Sequence, residues 1–128
     1  MFSIANNQYV CADNFGSLPL IANRNRVGSW EKFHIIKNSD DTISLKAYQI
    51  GKYVSADNSG NLPLIGNRDS IGLWEKFRPV FNANDGTYAF QCVGNGKFVC
   101  ADNQGKLPLI ANRDSVGPWE SFRVQFAE

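Results

Sequence analysis

Three tryptophan–glutamate pairs, Trp30-Glu31, Trp74-Glu75 and Trp119-Glu120, are the residues of this chain whose types and spacing could do chemistry. An indole face can stack on the apolar face of a pyranose ring, and an adjacent carboxylate can accept charge-assisted hydrogen bonds from ring hydroxyls. A site of that kind is small and open, so its affinity is weak, roughly sub-millimolar to millimolar, or about −4 to −6 kcal/mol. The three tryptophans of the chain all sit in these pairs, separated by 44 and then 45 residues, and each is followed three positions later by a phenylalanine (Phe33, Phe77, Phe122). A self-similar period of that size constrains the fold before any local structure is read.

Aligning the tryptophans aligns most of the chain. Tyr9-Val10-Cys11-Ala12-Asp13-Asn14 returns as Tyr53-Val54-Ser55-Ala56-Asp57-Asn58 and as Phe98-Val99-Cys100-Ala101-Asp102-Asn103. A glycine then leads into Leu-Pro-Leu-Ile, followed by Asn-Arg at Arg24, Arg68 and Arg113. Each repeat therefore carries four short strand signals. The first ends in an Asp-Asn-x-Gly turn, where Asx side chains cap and glycine takes the positive φ. The second, Leu-Pro-Leu-Ile, suits an edge strand because proline cannot donate to a central ladder. The third starts at Trp-Glu-x-Phe and runs through Ile35, through Pro79 and Phe81, or through Val124 and Phe126. The fourth covers 42–47 and 87–92, each after a turn. No segment holds a helical period.

The third repeat ends after its third strand, and residues 1–5 occupy the place of its fourth. Three four-stranded repeats, at about 6–50, 51–95 and 96–128 closed by 1–5, predict a single all-β domain of β-trefoil architecture. Six strands would form a barrel and three hairpins would cap it, with closure removing free sheet edges. Alternation then places Phe33, Phe77 and Phe122 in the core phase with Ile35, Pro79 and Val124. The same alternation turns the tryptophans outward as exposed platforms, with Gly28, Gly72 and Gly117 permitting a tight approach.

Structural roles compete with ligand contact at several positions. A carboxylate in the inward phase at a strand mouth needs a partner. Glu31, Glu75 and Glu120 could thus bind sugar, satisfy loop N–H groups, or pair with Arg24, Arg68 or Arg113. The arginines read as braces for the loop before each tryptophan, with sugar contact as a secondary role. Asp13, Asp57 and Asp102 read as turn caps. The turns at Asn6-Asn7, Gly51-Lys52 and Gly96-Lys97 read as connective.

Composition limits the other classes. The formal net charge is +1 with no basic stripe, which gives little attraction for nucleic acid or an anionic membrane. No apolar run approaches a membrane span, and the first residues lack signal-peptide character. No Cys/His cluster has metal-ligand spacing, and no cofactor motif is present. The odd set Cys11, Cys92 and Cys100 points to no disulfide. Glycoside hydrolysis needs two carboxylates in one cleft, whereas each repeat offers one obvious acid, so no enzymatic role is expected.

The recurrent Gly-Lys-Tyr-Val-Ser-Ala-Asp-Asn…Leu-Pro-Leu-Ile…Asn-Arg…Gly-x-Trp-Glu-Lys-Phe pattern resembles the fascin-like β-trefoils. More closely, it resembles the family 92 carbohydrate-binding modules attached to secreted bacterial polysaccharide-degrading enzymes. The resemblance spans the whole chain and recurs in each repeat. It implies a non-catalytic module that binds β-1,3- and β-1,6-linked glucans, as oligosaccharide or polysaccharide, through one Trp/Glu site per repeat. It also implies a secreted or cell-surface setting, appended to a glycoside hydrolase. Asn25-Arg26 departs from Asp69-Ser70 and Asp114-Ser115, and Ser29, Leu73 and Pro118 differ beside the tryptophans, so the three affinities need not match. A protein-interaction trefoil of the actin-bundling fascin type is the alternative; it would be expected to diversify its lobes into one asymmetric patch.

Overall fold

The computed structural model describes residues 1–4, 6–12, 19–28, 31–48, 51–56, 60, 62–105 and 107–124, with 103 and 104 described by backbone alone. Trp30, the Asp13-Asn14 and Asp57-Asn58 turns, Ala5 and Phe126 lie outside the described residues. The described chain is all-β. Its strands are β1 (Phe2–Ser3), β2 (Gln8–Ala12), β3 (Leu20–Arg24), β4 (Phe33–Lys37), β5 (Ile43–Ala47) and β6 (Tyr53–Ala56). They continue with β7 (Leu64–Arg68), β8 (Phe77–Asn82), β9 (Thr87–Cys92), β10 (Phe98–Ala101), β11 (Leu109–Arg113) and β12 (Phe122–Arg123). Three 3-10 turns, Leu73–Glu75, Asp102–Gly105 and Pro118–Glu120, interrupt them.

Three hairpins, β2–β3, β6–β7 and β10–β11, share one register. Tyr9, Tyr53 and Phe98 pair with Arg24, Arg68 and Arg113, while the next residues, Val10, Val54 and Val99, pair with Ala22, Gly66 and Ala111. The residue skipped on the second strand is Asn23, Asn67 or Asn112, so each hairpin carries the same β-bulge. A bulge bends its strand and re-aims the neighbouring side chain, here the arginine. Pro19, Pro63 and Pro108 stand just before β3, β7 and β11, where a missing N–H costs no ladder bond.

Six strands form the barrel layer in the order β4-β5-β8-β9-β12-β1, all antiparallel. Together with the three hairpins this is a β-trefoil. The core inside it is built in threefold sets: Val10, Val54 and Val99, and Leu20, Leu64 and Leu109, are each at most 2% exposed. Phe77 and Phe122 are buried among them.

The closure expected from the repeats is incomplete among the described residues. Ile43 of β5 pairs with Phe77, and Tyr88 of β9 pairs with Phe122. The third member of this set would pair β1 with Phe33. Among the described residues β4 pairs with β5 alone. The expectation of one buried cluster of three phenylalanines is corrected here: Phe77 and Phe122 lie within the core, whereas Phe33 is half-buried and packs against its edge.

The turns before β5 and β9 form where the sequence places them. Asp85 accepts hydrogen bonds from the Thr87 N–H and hydroxyl at 3.1 and 2.7 Å, and Asp40 does the same for Thr42. The Thr42 hydroxyl, with Lys76, holds the Asp40 carboxyl well below its usual range, at about 2. Phe77→Ala and Phe122→Ala should each destabilise the fold by about 3–5 kcal/mol in urea unfolding, and Phe33→Ala by roughly half as much. Equal losses at all three positions would contradict the shallower burial of Phe33.

Candidate functional site

Each site begins with a glutamate that must be buried without stranding its charge. Glu31, Glu75 and Glu120 are 9, 8 and 7% exposed. In each, one carboxylate oxygen accepts the backbone N–H of the glycine three residues earlier: Gly28 at 2.7 Å, Gly72 at 2.8 Å and Gly117 at 2.7 Å. The glutamate N–H in turn donates to that glycine's carbonyl at 3.1–3.2 Å. The reciprocal pair closes one tight turn, the backbone counterpart of a capping box. Of the roles open to these glutamates in the sequence, the structure gives them the satisfaction of loop N–H groups. Space rather than dihedral angle favours glycine here. A Cβ at Gly28, Gly72 or Gly117 would lie 3.2–3.3 Å from the carboxylate oxygen, while φ at Gly72 and Gly117 is an ordinary −123° and −130°.

The other side of the carboxylate is also occupied. Cys100 hydrogen-bonds Glu120, and burial first and this bond second push its thiol up to about 12. This explains the Cys/Ser alternation at positions 11, 55 and 100: the site takes a small buried side chain that can donate. Arg24 brings its Nε to 4.0 Å from the second oxygen of Glu31. Arg113 instead reaches Asp102, at 2.7 Å, and so ties the β10–β11 turn to the bulge. Arg24 and Arg113 also donate to the bulged Asn23 and Asn112, and Arg68 to Asn67.

The tryptophans correct one expectation. Trp74 and Trp119 are half-buried, not exposed, and Trp74 packs against the core. They belong to the 3-10 turns Leu73–Glu75 and Pro118–Glu120, and the strands start only at Phe77 and Phe122. The two-residue alternation that turned them outward therefore does not reach them. Trp74 rests on Gly94: a Cβ there would come within 2.4–2.7 Å of Cε3, Cζ3 and Cδ2 of the indole. One face of the benzo ring thus lies on bare backbone, and a ligand would have to approach from the other. Exposed apolar side chains recur in the same loops, Leu73 beside Trp74, and Val27 and Val116 at matching positions of the first and third repeats.

Gly94 was not singled out from the sequence. Its equivalents by spacing are Ala5 and Gln49, so only two of the three positions carry the small residue that marks a ring floor. Asn6, which the sequence places in a connective turn, and Asn95, which it does not single out, are more than turn residues. Asn6 and Asn95 donate to the Ala22 and Ala111 carbonyls at 2.8 and 3.1 Å, while accepting the Gln8 and Lys97 N–H groups. Their amides also press on Gly105 and Gly60, both at φ +85°, where a Cβ would come within 2.0–2.1 Å. Each therefore ties the hairpin of one repeat to that of the next.

Among the described residues no group of His, Cys, Asp and Glu could hold a metal ion, and no helix is long and apolar enough to cross a membrane. His34 is exposed on β4, 5.3 Å from the Tyr48 ring.

Two measurements probe the carboxylate cluster. Glu120→Ala leaves the Gly117 N–H without its acceptor and should cost about 1–3 kcal/mol of stability, with a shift in Trp119 fluorescence. The Cys100 thiol has a raised value in the folded state, so the unfolded chain releases its proton first and stability falls as pH rises from about 9 toward about 12. Cys100→Ser should flatten that fall relative to the parent chain; identical pH profiles would rule out the assigned thiol–carboxylate bond.

Known structures share this architecture at low identity. The designed 3-fold symmetric protein ThreeFoil superposes with a TM-score of 0.83 at 18% identity, over 95% of this chain and 93% of that one. The BEL β-trefoil gives 0.75 at 9% identity, over 91% and 84%. The Polyporus squamosus lectin, solved with the epitope Neu5Aca2-6Galb1-4GlcNAc, gives 0.71 at 16% identity; 94% of this chain covers 44% of the lectin. At such identities the likeness is one of fold. No curated protein sequence matches the chain. A family model does, over residues 7–128, and by that match the chain belongs to the FRG1-like domain family.

Proposed function

We propose that this chain is a non-catalytic carbohydrate-binding module with one site per repeat, in which the indoles of Trp30, Trp74 and Trp119 serve as ring platforms. The observation that carries this reading is the threefold recurrence of one buried carboxylate clamp, Glu31–Gly28, Glu75–Gly72 and Glu120–Gly117, each directly beside a tryptophan. A buried charge repeated three times for packing alone would be an expensive way to close a turn. As the support of a ring that must hold its orientation, it is economical. In this reading the glutamates act chiefly from beneath, fixing the turn. Ring hydroxyls take hydrogen bonds from the rim, where Arg24, Arg68 and Arg113 stand at the bulges, and from whatever carboxylate lone pairs remain reachable.

The finer reading follows the resemblance to family 92 modules: β-1,3- and β-1,6-linked glucan as ligand, a secreted setting, and attachment to a polysaccharide-degrading enzyme. The trefoil neighbours that include a lectin support sugar recognition as the class. Catalysis is not part of the proposal. The glutamate of each site already accepts a backbone N–H, and the second acid beside the third site, Asp102, is paired with Arg113, whereas glycoside hydrolysis needs two available carboxylates set about 5–9.5 Å apart across a bond.

The family match leaves room for the protein-interaction alternative, a trefoil surface of the filament-bundling kind. Retention on insoluble β-glucan compared with co-sedimentation on actin filaments separates the two. Calorimetry with a short glucan oligosaccharide tests the sites themselves. Trp30→Ala, Trp74→Ala and Trp119→Ala should each remove about one binding equivalent, while retention on soluble polysaccharide falls more steeply, because linked weak sites gain avidity of roughly 10²–10⁴. A single equivalent that survives removal of two tryptophans is incompatible with three sites.

A further inference from the structure

The backbone beneath Trp74 is set apart from its counterparts in the other repeats. We propose that Gly94 is the positioning residue of the second sugar site: its bare backbone seats the Trp74 indole at the depth and tilt at which the outer ring face takes a pyranose. This rests on the carbohydrate reading and deepens it at one site.

Glycine serves two ends in a turn, and only one applies here. The turn between β9 and β10 takes its left-handed residue at Gly96, with φ +68°, whereas Gly94 lies outside that region. The backbone at Gly94 would therefore accept a side chain. What excludes one is the indole: the three atoms nearest a Cβ there all belong to Trp74, within 2.4–2.7 Å. Carbon atoms in ordinary contact stand about 3.5–4.0 Å apart, so one of the two groups would have to retreat by roughly 1 Å.

The floor is the group that holds. Val93 N–H donates to the Lys76 carbonyl at 3.0 Å, which fastens the turn to the residue after Glu75. Cys92 N–H donates to the Lys97 carbonyl, and Gly96 N–H to the Cys92 carbonyl, both at 2.8 Å. Asn95 donates to the Ala111 carbonyl at 3.1 Å and accepts the Lys97 N–H at 2.9 Å. The backbone of Gly94 and Asn95 also hydrogen-bonds the buried Cys92 sulfur. The Trp74 ring is only half-buried, so it is the ring that yields. Because the Glu75–Gly72 clamp fixes the backbone around Trp74, the displacement becomes a tilt of the indole. A tilted platform lays less of its face on a pyranose and meets the rim hydrogen bonds out of register.

The seat belongs to the second repeat. The residues equivalent to Gly94 are Gln49 and Ala5, each of which carries a side chain. Gly94→Ala and Gly94→Gln thus introduce residues that the chain already has at equivalent positions.

The test uses the whole chain carrying Trp30→Ala/Trp119→Ala, in which Trp74 is the one remaining tryptophan and its fluorescence reports the site directly. Laminaritriose is the probe. Calorimetry should show Gly94→Ala weakening its binding by about tenfold, and Gly94→Gln by at least as much. The emission of Trp74 should shift in the free protein. Urea midpoints confirm that the affinity is lost in folded chains. In the Trp74→Ala chain, Gly94→Ala should leave laminaritriose binding at the other two sites as it was, since the residue acts through one ring. Binding at Trp74 that both substitutions leave unaltered overturns the inference and leaves the carbohydrate reading standing. An equal loss at all three sites, or failure of both variants to fold, also overturns it, because Gly94 then serves the fold alone. No laminaritriose binding by the chain with Trp74 alone removes the carbohydrate reading of this site, and the inference with it.

Discussion

The bond from a glycine N–H to a buried glutamate, made three times, is the constraint from which the local architecture follows. A carboxylate under 10% exposed is unfavourable unless its lone pairs are used. Here one oxygen accepts the glycine N–H, and at Glu120 Cys100 takes part as well. A Cβ on the glycine would lie 3.2–3.3 Å from the acceptor, so a side chain there would push the carboxylate aside by a few tenths of an ångström. The strand that begins two residues after the glutamate takes its phase from the turn. The loop that carries the tryptophan and the phenylalanine that follows it thus share one hydrogen bond.

A second set of polar contacts decides how the repeats meet. Asn6 and Asn95 each use both ends of the amide, donating to a hairpin carbonyl and accepting a backbone N–H, while lying on a positive-φ glycine of the neighbouring repeat. The third member of this set is Ile50, which offers no amide. The symmetry is therefore broken in the joints more than in the lobes. The first repeat also differs on its barrel strands, with His34 and Tyr48 where the others have Arg78 and Val93, or Arg123 and Ile4.

Much of this was legible in the residues because the repeats vote three times. Hairpins, turns, the Val and Leu layers and the four-strand unit each follow from patterns that a single copy would leave ambiguous. The misreadings have a common physical origin, in positions where the backbone leaves the strand. Alternation holds only within a ladder, so it could not place Trp74 or Trp119, which lie in 3-10 turns. The depth of Phe33 is set by non-local packing at the core edge, which no window of sequence carries. Asn6 looked connective because its spacing is that of a turn, and nothing in their own repeat marked Gly94 or Asn95. Their contacts are with other repeats, and only the assembled barrel reveals them.

The lobes are alike in scaffold and unlike in field. Lys52 pairs with Asp69 and Lys97 with Asp114 at matching points of the second and third repeats, but the first has Gln8 hydrogen-bonded to Asn25 at 2.8 Å. Exposed ion pairs contribute little to stability, so substituting a neutral pair costs the fold almost nothing. What changes is the local potential: the first repeat also carries Arg26 where the others have Ser70 and Ser115. A rigid barrel can absorb such changes because each lobe is held by its own carboxylate clamp and by joints that lie beneath the surface. The scaffold is thereby kept in the backbone and the charge pattern in the loops, so one repeat can change its surface without loosening the other two.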